Sequence, residues 1–315
     1  MKSSTFKKLK CHPKYGLNHK TIKNIKGRDK RDKKDKLHKS SKIKNNETRS
    51  VDYSCLDDRT LKSLKLIWNK RNPDRVIKAK SPMKIWTALQ SKMMGSCNNE
   101  YCWVRKTIPD LKTRREIEKN QFAPIAPSSW KKNKNEWLSN YDIQKVMSQY
   151  ESIFPEFRFF GPSPIDFDDI VDGMCVWPEL CHFKLTKHIK DKKTKLGFIF
   201  NTDTHNQSGS HWIAMYLDLN DNILFYFDSN GIQIPERIDK LAKRIIDQCK
   251  SRGHHVKFLS NMGMKHQYSY TECGMYCLYF IITLLTDKQS YDFFQNHRIT
   301  DKLVEKYRNV YFNII

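Results

Sequence analysis

The residue best suited to covalent chemistry is Cys273, which stands where the polar stretch 267–272 meets the apolar run 275–285. That run carries no charged residue, so it predicts a buried helix with Cys273 in its first turn. The free backbone N–H groups and the positive end of the helix dipole favour an anion there, so we expect a thiol that ionises readily and acts as a nucleophile. A single cysteine is more often a buried structural residue, and the interpretation of Cys273 as a nucleophile depends on the residues upstream.

Three upstream residues supply the other parts of acyl-transfer chemistry. His211 opens one apolar strand and Asp228 closes the next. If residues 220–222 form a tight hairpin, the two side chains meet near one end of the sheet, where Asp228 can orient the imidazole. Gln267 precedes Cys273 by six residues and could donate its amide to an oxyanion. Each residue alone has an ordinary structural explanation, so their order along the chain is the more specific signal.

Hydrophobic periodicity predicts the elements that would position these residues. Strands are expected at 198–201, 211–217, 223–228 and 256–259, and helices at 238–249, 273–285 and 299–312. The near-continuous apolarity of the strands indicates a sheet covered on both faces, and the fold class is α+β. Residues 154–164 are interpreted as a loop rich in proline and aromatic residues, and 166–182 are too mixed to assign.

The charge distribution divides the chain into three parts. Residues 1–50 hold 18 Lys+Arg against 4 Asp+Glu and are predicted to be a disordered basic arm, either a solubilising tail or a non-specific tether for nucleic acid. Residues 51–125 predict a small helical arm domain, with helices between Asp57 and Pro73 and between Ser81 and Gly95. Residues 126–315 form the predicted catalytic domain.

The nine cysteines are an odd number without a CxxC pair, and no apolar signal segment precedes them. We therefore expect no disulfide framework and an intracellular, reducing location, with no segment long enough to span a membrane.

No metal is predicted. Two zinc alternatives are weak, one built on Cys97 and Cys102 and one on His205, His211 and Cys273, because neither assembles four ligands.

Several local motifs resemble the Ulp1/adenain-like cysteine proteases, which include the SUMO-deconjugating proteases and the adenovirus protease. The motifs are His211-Trp212, Asp228-Ser229 and Gln267-x5-Cys273-Gly274. Asn201-Thr202-Asp203 and His266-Gln267-x3-Thr271-Glu272 are similar, more specifically, to the polyprotein-processing protease of African swine fever virus, which suggests a giant-virus thiol protease. The resemblance implies a papain-like core, a central mixed sheet flanked by helices, with an N-terminal helical arm.

The resemblance also implies roles for individual residues. Cys273 would be the nucleophile, His211 the general base and acid, Asp228 the group that orients it, and Gln267 an oxyanion donor beside the backbone. Trp212 and Trp137 would line opposite walls of a narrow substrate channel. Two positions depart from the family patterns: Glu272 stands where SUMO proteases carry Asp, and Asp228 stands where the swine fever enzyme uses Asn.

Three functions follow from these observations. The first is an endopeptidase that cleaves viral polyprotein precursors after Gly-Gly-type sites during virion maturation, located in the virion. The alternative is a deconjugating protease acting on SUMO- or ubiquitin-like conjugates of host proteins. The second alternative is a non-enzymatic, basic nucleic-acid-binding core protein. No cofactor is expected, although the adenovirus resemblance raises DNA as an activator.

Overall fold

The structure is a computed structural model, and it describes residues 6–15 and 53–315. The chain divides into two compact units, Met1–Ala123 and Pro124–Ile315. Among the described residues, no helix combines the length and the apolar character that crossing a bilayer requires.

Unit 1 is helical. Its helices are α1 (Asp58–Arg71), α2 (Pro82–Met93), α3 (Glu100–Thr107) and α4 (Leu111–Gln121). The Asp57 side chain accepts a hydrogen bond from the backbone N–H of Thr60 and caps α1, as its position before the apolar residues predicts. Proline occupies the first position of α2, where a missing backbone N–H costs nothing.

Residues 6–15 correct the prediction of a uniformly disordered arm over residues 1–50. Leu9 and His12 are buried, and Cys11 is disulfide-bonded to Cys55. The remainder of that arm, including its densest charge, lies outside the described residues. Phe6 packs on Trp86 and Trp103, and backbone hydrogen bonds join this segment to residues 98, 121 and 123. Charge counting over 50 residues does not detect these contacts.

The cysteines also contradict the expectation of an unpaired set. Three disulfides join Cys11 to Cys55, Cys97 to Cys102 and Cys175 to Cys181. Cys249, Cys273 and Cys277 are free and buried. The prediction was wrong because it searched for CxxC pairs, whereas these partners are 44, 5 and 6 residues apart and are brought together by the fold.

Unit 2 is built on a five-stranded mixed sheet, with a two-stranded hairpin beside it. The strands are β1 (Phe157–Pro164), β2 (Ile170–Val171), β3 (Met174–Cys175), β4 (Lys195–Asn201), β5 (Trp212–Asp218), β6 (Ile223–Phe227) and β7 (Lys257–Ser260). The order in the large sheet is β1-β4-β5-β6-β7, in which β4, β5 and β6 are antiparallel neighbours and the two outer pairs are parallel.

Helices cover both faces of this sheet, which confirms the predicted α+β class. They are α5 (Asn140–Ile153), α6 (Pro178–Cys181), α7 (Leu185–Lys190), α8 (Glu236–Lys250), α9 (Cys273–Leu285), α10 (Tyr291–Asn296) and α11 (Asp301–Tyr311). Every residue of α9 is buried, because the helix packs against β5 as well as against α5 and α11. The apolar stripe of α8 joins the core on the other side of the sheet.

Two stretches of unit 2 differ from the sequence prediction. Residues 157–164, interpreted as a loop, form the edge strand β1, where the proline in Gly161-Pro162 is tolerated because an edge strand has one unpaired side. Residues 170–175 form the hairpin of β2 and β3. Asp172 and Gly173 at its turn both have positive φ, which is what a two-residue turn needs in order to match the right-handed twist of the strands that it joins.

Candidate active site

The site begins at the first residue of α9. Cys273 is 1% exposed, and its side chain is one of the groups that act on the pKa of His211, which immediately precedes β5. Nε2 of His211 lies 2.7 Å from Oδ1 of Asp228, so Nδ1 is the nitrogen left to serve the thiol. Asp228 follows β6, the antiparallel neighbour of β5, and the hairpin between the strands brings the two side chains to the same end of the sheet.

The electrostatic setting of His211 favours an imidazolium. Burial alone would lower its pKa, but hydrogen bonds to Asp228 and Cys273 and the charges of both groups outweigh burial and raise the pKa to about 9. Near neutral pH the imidazole therefore holds its proton beside the sulfur. That arrangement can activate a thiolate for attack and then deliver the proton to a leaving amine.

Asp228 is held by its own backbone as well as by its side chain. Its N–H donates to Oδ1 of Asn261 over 3.0 Å, and Nδ2 of Asn261 donates back to the Asp228 carbonyl over 2.7 Å. The backbone N–H of Asn230 donates to Oδ1 of Asp228 over 2.8 Å. Both Asp228 and Asn261 are buried, so these bonds fix the carboxylate away from competing water.

Gln267 is tied to the same turn through Ser229. The Ser229 hydroxyl donates to Oε1 of Gln267 over 2.7 Å, and the Ser229 carbonyl accepts from the backbone N–H groups of His266 and Gln267. Nε2 of Gln267 gives one hydrogen to the carbonyl of Ser269 over 2.7 Å. A glutamine amide carries two hydrogens, so the second can serve an oxyanion next to the N-terminus of α9.

A buried ion pair holds the residue before Cys273. Glu272 is fully buried and makes bidentate contact with Arg308 of α11, with N–O distances of 2.8 to 3.2 Å. The same guanidinium donates to the Glu136 carbonyl over 2.8 Å and stacks on the ring of Trp130. Burial raises the pKa of Glu272, while the hydrogen bonds and charge of Arg308 oppose that rise. Arg308 thereby joins the start of α9 to the segment that precedes Trp137.

A groove of about 1070 Å³ runs beside the N-terminus of α9. The residues that line it include Trp137, Leu138, Trp177, His205 and Trp212. The Trp212 indole N–H donates to the Leu138 carbonyl over 3.0 Å, which joins the start of β5 to the segment that precedes α5. A Cβ on Gly274 would lie 3.1 Å from Leu138 and 3.2 Å from Trp212, so glycine allows this close approach beside Cys273.

Residues 143–314 match the Ulp1 protease family, C-terminal catalytic domain. The match covers more than half of the chain. The chain belongs to the Ulp1 protease family. It is therefore a cysteine protease, a hydrolase that acts on protein substrates. This finding removes the alternative of a non-enzymatic basic nucleic-acid-binding protein.

Viral proteins are among the relatives of this Ulp1-family protease. A thiol protease of Acanthamoeba polyphaga mimivirus is 29% identical over 276 residues, covering 86% of this chain and 82% of the relative. A SUMO-1 cysteine protease of African swine fever virus is 28% identical over 256 residues, covering 77% and 93%. The crystal structure of the swine fever virus protease superposes with a TM-score of 0.60 at 24% identity, covering 85% and 94%, so the fold is shared.

The zinc alternatives find no support in the described part of this Ulp1-family protease. Nδ1 of His205 lies 2.6 Å from Asp166, and the donor atoms of His205, His211 and Cys273 do not gather into a cluster. Cys97 and Cys102 are bonded to each other.

Sequence reasoning missed Asn261, Ser229 and Arg308 as supports of this site. Ser229 belongs to the motif Asp228-Ser229, and its position next to Asp228 is the sequence signal for its supporting role. Asn261 and Arg308 carry no local signal. Asn261 lies 33 residues from Asp228, and Arg308 lies 36 residues from Glu272, so only the tertiary fold brings these pairs together.

Proposed function

We propose that this Ulp1-family protease is an endopeptidase that cleaves viral polyprotein precursors after Gly-Gly-type sites during virion maturation. In this proposal Cys273 is the nucleophile, His211 the general base and acid, and Asp228 the residue that orients the imidazole. Gln267 and the backbone N–H of Cys273 form the oxyanion hole. The observation that carries the proposal is the placement of His211, which is hydrogen-bonded to Asp228 and whose pKa is raised by both Asp228 and Cys273.

The proposed reaction follows from that placement. The Cys273 thiolate attacks the substrate carbonyl carbon, and the resulting oxyanion accepts hydrogen bonds from the Gln267 amide and the start of α9. The His211 imidazolium gives its proton to the leaving amine, which leaves a thioester on Cys273. The neutral imidazole then removes a proton from water, the hydroxide attacks the thioester, and the thiolate is restored.

The tight packing beside the nucleophile supports a preference for glycine in the substrate. Trp212 and Leu138 are bonded to each other and approach Gly274 so closely that even a methyl group would displace them. In this proposal the substrate chain that reaches Cys273 passes beside these two side chains, where a glycine needs the least space. Trp137, which is 39% exposed and lines the groove, offers an aromatic surface to the substrate residues further along.

The relatives support a viral substrate. The similar proteins from mimivirus and African swine fever virus are viral proteases, and the matches cover most of each chain. A virion location and a polyprotein substrate are consistent with such an origin.

Two electrophilic probes test the proposal. One is a Gly-Gly-ending peptide with a C-terminal thiol-reactive group, and the other carries the same group on full-length SUMO or ubiquitin. We expect the peptide to label wild type and Cys277→Ala, and to leave Cys273→Ala unlabelled. Absence of labelling in wild type, or equal labelling of Cys273→Ala, would contradict the assignment of the nucleophile.

The second candidate function is a deconjugating protease that acts on SUMO- or ubiquitin-like conjugates. The swine fever virus relative, which is described as a SUMO-1 cysteine protease, favours it. The same experiment separates the two functions. Labelling by the SUMO or ubiquitin probe at much lower concentration than by the peptide would favour the deconjugase, because recognition would then extend over a folded partner.

The basic arm motivates a separate proposal about nucleic acid. Residues 16–50 contain 13 Lys+Arg against 4 Asp+Glu, and we propose that they tether the protease to packaged DNA, which would act as an activator. Deleting these residues leaves Cys11 in place to pair with Cys55. We expect the deletion to weaken DNA binding and to make the DNA affinity depend less strongly on salt concentration. Unchanged DNA affinity and unchanged activity at a stated salt concentration would refute the tether.

A further inference from the structure

A cluster of donor atoms lies outside the catalytic centre, in residues 175–182. Cys175 ends β3, Cys181 ends α6, and His182 follows directly. Their ligand atoms all lie within 4.8 Å of one another, with Sγ of Cys175 3.4 Å from Nε2 of His182. Within the described residues this is the only group of three or more His, Cys, Asp or Glu side chains that meets this condition.

We propose that Cys175, Cys181 and His182 form a binding site for a soft divalent metal, Zn²⁺ by preference, when the disulfide between the cysteines is reduced. Two thiolates and one imidazole are the ligands that zinc takes in proteins with an open fourth position. Cys181 is partly exposed and His182 is exposed, so water can occupy that fourth position. The two thiolates neutralise the charge of the ion.

The distances require only a small adjustment. Tetrahedral coordination with Zn–S bonds near 2.3 Å and Zn–N bonds near 2.0 Å places the donor atoms about 3.5–3.8 Å apart. The Cys175–His182 separation of 3.4 Å already approaches this value. Once reduced, the two sulfurs need only move apart by side-chain rotation, because their Cα atoms are 6.3 Å apart.

The backbone around the cluster is fixed by bonds that do not involve sulfur. The N–H groups of Val176 and Trp177 donate to the carbonyls of Asp169 and Phe167, each over 2.9 Å. Arg244 donates to the carbonyls of Leu180 and Cys181 at the end of α6, over 2.6 and 3.0 Å. The donors are thus held in place by the fold, which limits the entropy that metal binding must overcome.

The redox step balances with a dithiol as the reductant. The dithiol supplies two electrons and two protons, becomes a disulfide itself, and leaves Cys175 and Cys181 as thiols. Metal binding then releases those two protons to solvent. Because Val176 and Trp177 lie between the two cysteines and line the groove, the site would fix one wall of that groove in a reducing environment. This last consequence rests on the proposed function, whereas the metal site does not.

Co²⁺ titration of the reduced, full-length chain tests the site. All variants carry Cys273→Ser, so that the nucleophile cannot supply a thiolate. We expect one equivalent of Co²⁺ to produce sulfur-to-cobalt charge-transfer absorption, which one equivalent of Zn²⁺ abolishes. The oxidised protein should show no such band. His182→Ala should weaken Co²⁺ binding by more than the about 10–100-fold typical of losing an outer-shell partner.

A matched pair of double variants decides the outcome. Cys175→Ser with Cys181→Ser should remove the absorption, while Cys97→Ser with Cys102→Ser should leave it unchanged. Absence of a band in the reduced protein, or a band that survives loss of Cys175 and Cys181, would overturn the proposal. Since the readout is spectroscopic, its failure leaves the protease assignment untouched, and a protein without protease activity could still bind the metal.

Discussion

The catalytic corner (residues 228–230, 261 and 266–267) and the groove rim (residues 166–182) are constructed differently. In the corner, buried polar groups bond to one another, and Asn261 alone makes hydrogen bonds to both backbone groups of Asp228. The rim consists of a two-residue-stranded hairpin, a one-turn helix and a disulfide. Three apolar residues of its hairpin, Ile170, Val171 and Met174, are exposed.

The difference separates two requirements of a protease. The chemistry proposed at Cys273 needs atoms fixed to within a few tenths of an ångström, and buried polar groups that bond to one another contribute to that precision. Substrate selection can be adjusted on short, exposed elements without disturbing the core. Changes in the corner should therefore reduce the rate of the chemical step or the stability, whereas changes in the rim should alter substrate affinity.

The largest expected effect is that of Cys273→Ala. We expect kcat/KM to fall by roughly a million-fold, as when other covalent proteases lose their nucleophile. Cys277→Ala, one helical turn away, should keep most activity, because the Cys277 thiol is buried and burial raises its pKa well above the usual value. Hydrolysis of a fluorogenic peptide measures both variants. Comparable losses in the two would show that the nucleophile has been misassigned.

Asp228→Asn should lower kcat at neutral pH far less than loss of Cys273 does, because an asparagine oxygen can still accept the His211 N–H, as in Cys-His-Asn triads. The raised pKa of His211 predicts that the activity of the wild type falls as pH rises through about 9. This fall is the alkaline limb of the pH–rate profile. Since the Asp228 charge and hydrogen bond raise that pKa, Asp228→Asn should move the limb to lower pH. A pH–rate profile of the two proteins checks this, and an unmoved limb would count against Asp228 as the partner of His211.

The raised pKa of His211 also makes the stability of the folded state depend on pH. The pKa of His211 is higher in the folded state than its ordinary value of about 6.5, so the stabilisation is complete below that value and is lost as pH rises through about 9. Urea unfolding at several pH values between 6 and 10 can be compared with the rate profile as an independent check.

Arg308→Met should destabilise the fold by about 3–5 kcal/mol, because it leaves the Glu272 carboxylate buried without its cationic partner. Arg158→Met offers a matched comparison. Arg158 pairs with Glu151 and, in the rim, with Glu179, but its side chain is 34% exposed, so about 0–1 kcal/mol is expected. Urea midpoints of the two variants measure the difference. Equal losses would mean that burial does not distinguish these ion pairs.

The smallest effect is expected from Trp177→Ala in the rim. Loss of an aromatic groove residue should raise KM several-fold with kcat within about twofold, since no reacting atom is touched. Peptides that extend further from the cleavage site should show a larger rise in KM than short ones. A fall in kcat with unchanged KM would remove the distinction between corner and rim.

The sequence predicts the corner better than the rim for physical reasons. Long apolar runs produce strong periodic signals, so α9 and the strands that carry His211 and Asp228 are recognisable. Elements of two to four residues have no measurable period, and residues 166–182 remained unassigned, although Asp172-Gly173 is a recognised hairpin signal. Disulfide partners and the Asn261 and Arg308 contacts depend on tertiary proximity, which a single sequence does not encode locally.

The Glu272–Arg308 pair has a consequence for biosynthesis. A ribosome completes Arg308 only 36 residues after Glu272, so the nascent chain contains the nucleophile before it contains the cation that supports the preceding carboxylate. Until α11 is translated and docks, the start of α9 lacks its partner. We therefore expect ribosome-stalled chains that end before Arg308 to resist the peptide probe, because the carboxylate beside Cys273 lacks its cation.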